Sequence, residues 1–378
     1  MNPYILSNRA SKPRKYRGWE QPTGLRDILN CIQRFSLCKN SWNSKACRKM
    51  IRVQVYCKSV NWYKFVQKFF GLFFATGMAL GFFFPGFYMP VAERTILILG
   101  TVITLTFLTI DFRAAASNLK RFHNIGAVVL ISKLLLPFVL YQLAKPLGTD
   151  ISLGVLLLTL TPFASVSPTL TRIIGGDTEF IILSQVLLTL LAPFYMPFLL
   201  LLYAGAVIEI DVFQMMRSLL FLILIPFVLS LILRPLFKKA VERTKKYYSA
   251  VNILLISLLL TGLISMAADD IKSNLIIALP MTGWVIILGI ILTFAGWYCF
   301  FFMDRKKRLG LAVGNVYMNI GLTAVIAAGF FSSEVIMFVL LYEIPANLLP
   351  ALLGRLDFFK PVRQRDPKPG SSASQEEL

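Results

Sequence analysis

The sequence predicts an all-α membrane protein with ten transmembrane helices, arranged as two inverted repeats of five. Three observations predict this fold class. Hydrophobic residues make up 56% of the 378 residues, and charged residues make up 15%, against roughly 25% in an average soluble protein. The charges gather in short clusters between apolar stretches of about 20 residues, the length that spans a bilayer. Every second cluster is basic, as expected for loops on the cytoplasmic side.

The chain divides into three parts by composition. Residues 1–64 are polar and basic, and we interpret them as a cytoplasmic N-terminal extension without stable structure. Two alternatives are a true start near Met50 and an organelle transit peptide, because such peptides are rich in Arg and Ser and poor in acidic residues. Residues 65–356 form the predicted ten-helix membrane domain, and residues 357–378 a disordered cytoplasmic tail.

Ten apolar stretches fill the predicted membrane domain. They cover residues 65–87, 91–110, 125–144, 151–173, 178–203, 214–236, 247–268, 275–302, 309–330 and 333–354. Lys and Arg cluster after the second, sixth, eighth and tenth stretch, and Arg172 lies at the end of the fourth, whereas the other loops carry mainly acidic residues. The positive-inside rule then places both termini in the cytoplasm. We expect a multi-pass protein of the cell (plasma or inner) membrane, or of an organelle membrane if residues 1–64 are a transit peptide.

The two halves of this domain, residues 65–203 and 214–354, show weak sequence similarity to each other. The fifth stretch contains "LLAPFYMPFLL" and the tenth contains "YEIPANLLPALL", with paired prolines at similar depth. Because each half has an odd number of spans, the second half is inverted relative to the first. Inverted repeats with one discontinuous helix in each half are typical of secondary transporters.

Two stretches contain helix-breaking segments. The fourth carries "TPFASVSPT" at 161–169, where Pro162 and Pro168 each remove a backbone donor. The ninth carries "VGNVYMNIG" at 313–321, rich in Gly and Asn. Freed backbone groups are tolerated at membrane depth only where they line a polar cavity. We expect the two segments to cross near the midplane and to hold an anion at the helix N-termini. The alternative is a kink satisfied by Ser and Thr side chains, without a ligand.

At these residues the sequence resembles the bile acid:sodium symporter family. The segment "TPFASVSPTLTRIIGGDTEFIILSQVLLTLLAPFYMP" is similar to the family's fourth and fifth helices, "VGNVYMNIGLTAVIA" to its ninth and "IPANLLPALLG" to its tenth. The resemblance covers roughly residues 65–356. It implies a panel domain of spans 1, 2, 6 and 7, a core domain of spans 3–5 and 8–10, and alternating access between them.

The resemblance and the predicted breaks together indicate a binding site for a small organic anion, such as a bile acid, a steroid acid or a keto acid. The predicted substrate-binding residues are Ser165, Ser167, Thr171, Asn315, Asn319 and Asn347. Arg172, at the end of the broken fourth span, is interpreted as a topology charge rather than a ligand.

Several positions depart from the family's sodium ligands. Register places Pro168 where the family has Asn, Gly314 where it has Glu, and Ser132 where it has Gln. Ile181, Gln185 and Met318 likewise stand in place of the family's Ser, Thr and Gln. These losses argue against sodium coupling. The sodium ion is the only cofactor that the resemblance implies.

Three residues are candidates for ion coupling: Lys133, Gln185 and Glu343. Ionisable residues inside a membrane are costly and usually paired or functional. One hypothesis is that Lys133 supplies the positive charge that sodium supplies elsewhere, with Glu343 as its partner or as a proton-titrating group. The alternative is that Lys133 extends to a lipid headgroup and that Glu343 caps the break near Pro345.

Other function classes fit the sequence less well. His123 is the only histidine, and the five cysteines lack paired spacing, so neither a metal site nor a Ser-His-Asp hydrolase is predicted. The net charge of +20 is explained by topology, without a nucleic-acid partner. A proton-coupled or uncoupled facilitator or exporter, a membrane-embedded transferase and a non-transporting sensor remain alternatives. The expected partners are the organic anion and membrane lipid, and the oligomeric state is left open.

Overall fold

A computed structural model of the chain describes residues 62–110, 122–205, 211–273 and 275–353. The predicted extension up to residue 61, the tail at 357–378 and the basic cluster after the second span lie outside the described residues. Contacts divide the chain into two units, Met1–Phe65 and Val66–Leu378. The cavity, the helix packing and the buried side chains described below belong to the second unit.

All regular structure within the described ranges is helical, and none of their residues forms a β-strand. The α-helices are α1 Trp62–Lys68, α2 Phe70–Phe83, α3 Pro85–Ala92, α4 Thr95–Thr109, α5 Phe122–Val128, α6 Leu136–Ala144, α7 Thr149–Leu160, α8 Ser167–Ile173, α9 Thr178–Ala204, α10 Val212–Leu236, α11 Lys238–Ser273, α12 Leu275–Tyr298, α13 Arg305–Val316, α14 Ile320–Phe330, α15 Ser333–Leu341 and α16 Glu343–Leu353. A π-helical segment, Val129–Leu135, joins α5 to α6.

Five of the described helical segments are long and apolar enough to cross a membrane. They are Asn124–Leu147, Thr178–Ala204, Val212–Leu236, Lys238–Ser273 and Ala278–Tyr298. The number rises to seven if two bent pairs, α1 with α2 and α3 with α4, each count as one span. The all-helical membrane class is therefore confirmed, whereas the arrangement of ten spans in two repeats stays a prediction.

The remaining three predicted spans, 151–173, 309–330 and 333–354, are each divided into two shorter helices. Helices α7 and α8 are separated by residues 161–166, and α13 and α14 by residues 317–319. Helices α15 and α16 meet at Tyr342. Neither piece of such a divided span is alone as long as the bilayer is thick.

The helices pack in two groups. In the first group, α11 packs against α2, α3 and α4, and α4 packs against α10. In the second, α7 packs against α6 and α15, α12 against α13 and α16, and α8 against α13. Gly81 and Gly262 permit close approach in the first group, because a Cβ at Gly81 would collide with the Thr261 carbonyl. Helix α9 connects the groups, because it packs against α10 of the first and against α8 and α13 of the second. The division into panel and core domains that the resemblance implies stays a prediction.

Candidate functional site

The two interrupted helices meet at their breaks and pair there. Phe163 and Met318 form an antiparallel β-bridge. The Ala164 amide donates to the Tyr317 carbonyl at 2.7 Å, and the Asn319 amide donates to the Pro162 carbonyl at 2.9 Å. The second segment thus runs opposite to the first, as expected for breaks in inverted halves.

Side chains complete this crossing. The Asn319 side chain caps α14 by accepting from the Leu322 amide at 3.2 Å. The Ser167 hydroxyl donates to the Tyr317 carbonyl at 3.0 Å, and the Thr323 hydroxyl donates to Thr161 Oγ1 at 2.8 Å. We expected backbone amides at the breaks to be free to bind an anion. Two of them, the amides of Ala164 and Asn319, instead donate to carbonyls of the opposite segment. The pairing makes the crossing one continuous hydrogen-bonded unit.

A cavity of about 750 Å³ lies beside the crossing, between the two groups of helices. Its core-side wall is formed by residues 164–166 and 317–321 of the two breaks, together with residues of α9 and α16. Its opposite wall comes from α2, α4 and α11. The α11 wall is mixed: Ile253 and Ile256 are apolar, and Ser249 and Asn252 add polar groups.

Exposed charged residues surround one end of the cavity. Arg172 follows the first break, and Lys245 and Lys246 lie on the first turns of α11. Lys245 forms a surface ion pair with Glu242, and Glu179 also lines this end. We call Arg172, Lys245 and Lys246 the basic rim.

The structure distributes the predicted substrate-binding residues over two layers. Ser165 and Asn319 line the cavity. Ser167, Thr171 and Asn315 are almost completely buried and lie outside its lining. Asn347 also lies outside the lining, and its amide donates to the Glu343 carboxylate at 2.9 Å. The geometry thus brings two of the six residues to the cavity wall.

Two cavity residues were missed by sequence reasoning. Asn252 donates through Nδ2 to Thr106 Oγ1 at 3.0 Å, while its Oδ1 has no hydrogen-bond partner among the described residues. The Tyr317 hydroxyl is likewise buried without a described partner. Buried polar atoms normally have partners, so these two atoms are exceptions beside the cavity. A single Asn inside the apolar stretch "AVNILLISLLL" was the signal that could have identified Asn252.

Lys133 lies inside the protein. Its side chain is 0% exposed, and its ammonium donates to the carbonyls of Thr159 at 3.0 Å and Thr161 at 2.5 Å. The ammonium also lies 5.2 Å from the centre of the Phe163 ring. The alternative in which Lys133 extends to a lipid headgroup is therefore wrong.

The other two ion-coupling candidates lie on the cavity wall. Glu343 is 5% exposed and begins α16, and Gln185 projects from α9. Glu343 forms no ion pair with Lys133, although the structure describes both residues, so the expected pairing between them is wrong. The buried hydroxyls of Tyr317 and Tyr342 lie within electrostatic range of Glu343.

Two of the positions aligned with family sodium ligands, Gly314 and Ile181, have apolar surroundings. A Cβ on Gly314 would lie 3.0 Å from the Phe163 ring, so the ring takes the space into which a longer side chain would extend. Ile181 is fully buried in an apolar cluster with Phe163 and Phe180. A sodium ion needs oxygen ligands, which neither position supplies.

Comparison with known proteins agrees with this architecture. Residues 96–278 match the Sodium Bile acid symporter family. The chain is also 24% identical over 272 residues to a Bacillus subtilis (strain 168) protein described as "Uncharacterized sodium-dependent transporter YocS", a match that covers 71% of this chain and 84% of the relative. These matches confirm the resemblance of the chain to the sodium bile acid symporter family of membrane transporters, whose model matches residues 96–278.

Proposed function

We propose that this protein is a secondary transporter that moves a small organic anion by alternating access. The observation that carries the proposal is the cavity between the two groups of helices, which extends from the basic rim to the paired breaks. Transporter sites are characteristically built where discontinuous helices meet near the bilayer midplane.

The cavity has the size and lining for an amphipathic organic acid. Its volume of about 750 Å³ lies within the roughly 300–1,000 Å³ typical of small-molecule sites. Ile253 and Ile256 offer apolar contact on one wall, while Ser165 and Asn319 offer hydrogen bonds on the other. A hydrocarbon skeleton that carries one acidic group, as in a bile acid, a steroid acid or a branched keto acid, matches this division.

The basic rim favours an anion at the entrance. A cleft lined by charges of one sign raises the local concentration of ligands of the opposite sign. Arg172, Lys245 and Lys246 outnumber Glu179 among the charged residues that line this end. By the positive-inside rule this end faces the cytoplasm, with both termini on the same side. In this state the site is then open to the cytoplasm.

The pairing at the crossing provides a unit that moves as a whole. The bonds of Ala164 with Tyr317 and of Asn319 with Pro162 tie the two halves of the core together. Alternating access in inverted-repeat transporters is largely rigid-body movement of one bundle against another. Movement of this unit along the wall formed by α11 closes the cavity on one side and opens it on the other.

Transport through this site could be coupled to sodium, coupled to protons, or uncoupled. The relative is named as sodium-dependent, but the apolar surroundings of Gly314 and Ile181 argue against sodium here. The buried Glu343 carboxylate on the cavity wall favours proton coupling as the second candidate, because such a group is able to carry a proton across. An uncoupled facilitator or exporter has the same site without this step.

The direct test is uptake of radiolabelled anions into proteoliposomes that contain the purified protein. Taurocholate, a steroid sulfate, pantoate and pyruvate are offered separately, with sodium, potassium and pH gradients imposed one at a time. We expect saturable uptake of at least one anion and weaker uptake by Ser165→Val. Ser218→Ala, which removes an exposed hydroxyl of α10 away from the cavity, is the matched control. No uptake of any anion in either membrane orientation contradicts the proposal.

A further inference from the structure

The C-terminal end of α7 is held by a charged side chain from a neighbouring helix. The ammonium of Lys133 donates to the Thr159 and Thr161 carbonyls, and the hydroxyl of Tyr195 donates to the Leu160 carbonyl at 2.7 Å. The last carbonyls of a helix have no intrahelical partner and carry the negative end of its dipole. One cation and one neutral donor therefore satisfy this end of the half-helix.

The local sequence directs Lys133 to this place. Pro137 has no amide hydrogen, so the Lys133 carbonyl lacks its usual donor four residues later. The chain responds with a π-helical segment, Val129–Leu135, in which the Leu136 amide donates to the Ile131 carbonyl. Such π-bulges frequently occur at functional sites.

The surroundings of the ammonium leave no room for a second cation. Lys133 is 0% exposed, two of its three donors bind carbonyls, and the Phe163 ring lies beside it at 5.2 Å. The ring face attracts a cation at such a distance. A free ion on the same carbonyls would sit against this ammonium and be repelled by it, strongly so in a buried environment.

The chemistry of this end is that of a cation site. In transporters with discontinuous helices, unwound carbonyls and half-helix C-termini coordinate the coupling cation. We propose that the Lys133 ammonium is a tethered cation, which fills a monovalent-cation site formed by the Thr159 and Thr161 carbonyls. Sodium, which the family name implies, does not fit this end while the lysine is present.

If this proposal holds, a cation site should become open once the Lys133 side chain is removed. Truncating Lys133 leaves two buried carbonyls without donors and a space of the size of the lost side chain. A small monovalent cation that enters this space restores the lost interactions, whereas a bulky cation does not fit. Because stability reports on occupancy, the inference is testable without knowing the transported anion.

The experiment measures the thermal unfolding midpoint, Tm, of the purified full chain in detergent. Chloride salts of sodium, potassium, methylammonium and N-methylglucamine are compared at equal ionic strength. We expect the wild-type Tm to be the same in all four salts. Lys133→Ala should lose on the order of 5 °C in N-methylglucamine, and sodium or methylammonium should restore part of this loss with saturable dependence on concentration.

Two further variants separate charge from volume. Lys133→Met fills the space without charge, so it should be destabilised and show no recovery in any salt. Tyr195→Phe removes a neutral donor from the same helix end, so it should lose stability equally in all four salts. This variant is the matched control, because only the cationic donor should leave a cation-dependent defect.

Three outcomes overturn the inference. One is a wild-type Tm that rises saturably with sodium but not with N-methylglucamine, because a free sodium site would then exist alongside the lysine. Another is Lys133→Ala with wild-type stability in N-methylglucamine. The third is Lys133→Ala that no small cation stabilises.

If Lys133→Ala does not fold in any salt, the wild-type comparison and Lys133→Met decide. Loss of anion uptake in the proteoliposome experiment leaves all these results unchanged, so the two proposals fail separately.

Discussion

The two interrupted helices solve the same backbone problem with different chemistry. In the first, the end of α7 is satisfied by the Lys133 ammonium and the Tyr195 hydroxyl. In the second, the Val316 carbonyl at the end of α13 accepts from the hydroxyl of Tyr342 at 3.1 Å, and Asn319 caps α14. One break is therefore bonded by a basic side chain, whereas the described side chains that bond the other are not basic. Two helix breaks can share a backbone geometry while their ends are satisfied by chemically different donors.

The largest difference should follow from removing the main donor of each break. Lys133→Met leaves two buried carbonyls unpaired and should lower the free energy of unfolding by about 3 kcal/mol, whereas Tyr342→Phe should cost about 1 kcal/mol. The Val316 carbonyl keeps the Met318 amide as a donor, which limits the second loss. Chemical unfolding of both variants in detergent measures the difference. Equal losses would mean that the ammonium contributes no more than a neutral donor.

The next effect tests the packing that joins the two breaks. Gly314 of α13 faces the Phe163 ring of the first break, so Gly314→Leu should lower the free energy of unfolding by about 2 kcal/mol through overpacking. Phe163→Ala in the same chain should recover part of this loss by providing space. Gly329 is the control, since a side chain there has nothing within 4 Å. Additive losses in the double variant would show that the ring and Gly314 do not share one space.

The sequence predicted the breaks but not all of their partners. Pro162, Pro168 and the Gly-Asn pattern at 313–321 are local signals, and the helices are interrupted within both segments. The partners of Lys133 are backbone carbonyls, and a carbonyl has no side-chain signature in the sequence. The pairing expected with Glu343 assumed that opposite charges at similar depth meet, but Lys133 bonds carbonyls and the Glu343 carboxylate accepts from Asn347.

The binding residues were harder to predict than the breaks, for a related reason. Polar residues close to a break in sequence, such as Thr171 and Asn315, are buried by packing on the core side. Asn252, from a helix of the opposite wall, reaches the cavity instead. Which face of a broken helix meets the cavity depends on tertiary packing, and sequence periodicity is least informative where a helix is short and apolar all round.

A smaller effect concerns the single carboxyl group near the second break. If protons drive transport through Glu343, an inward pH gradient should accelerate anion uptake several-fold in the wild type. Glu343→Gln should lose this response and retain exchange of anion for anion, because Gln keeps a hydrogen-bonding group for Asn347. Glu334→Gln, a change in an acidic residue outside the cavity lining, is the control. A pH response that survives in Glu343→Gln would remove this residue from the coupling step.

The smallest expected effect lies at the basic rim, where charge acts through solvent. Lys246→Gln should raise the KM for the transported anion about threefold at low ionic strength, since exposed charges steer ligands and are screened by salt. Lys239 lies on the same helix and is exposed but does not line the cavity, so Lys239→Gln should leave the KM unchanged. Uptake kinetics at low and high salt measure both variants. The Lys246 effect should vanish at high salt, whereas any effect of Lys133 variants should persist, because a buried ammonium is shielded from ions in solution. An effect of Lys246→Gln that is independent of salt would indicate direct contact with the anion, and it would move the site outward from the paired breaks to the rim.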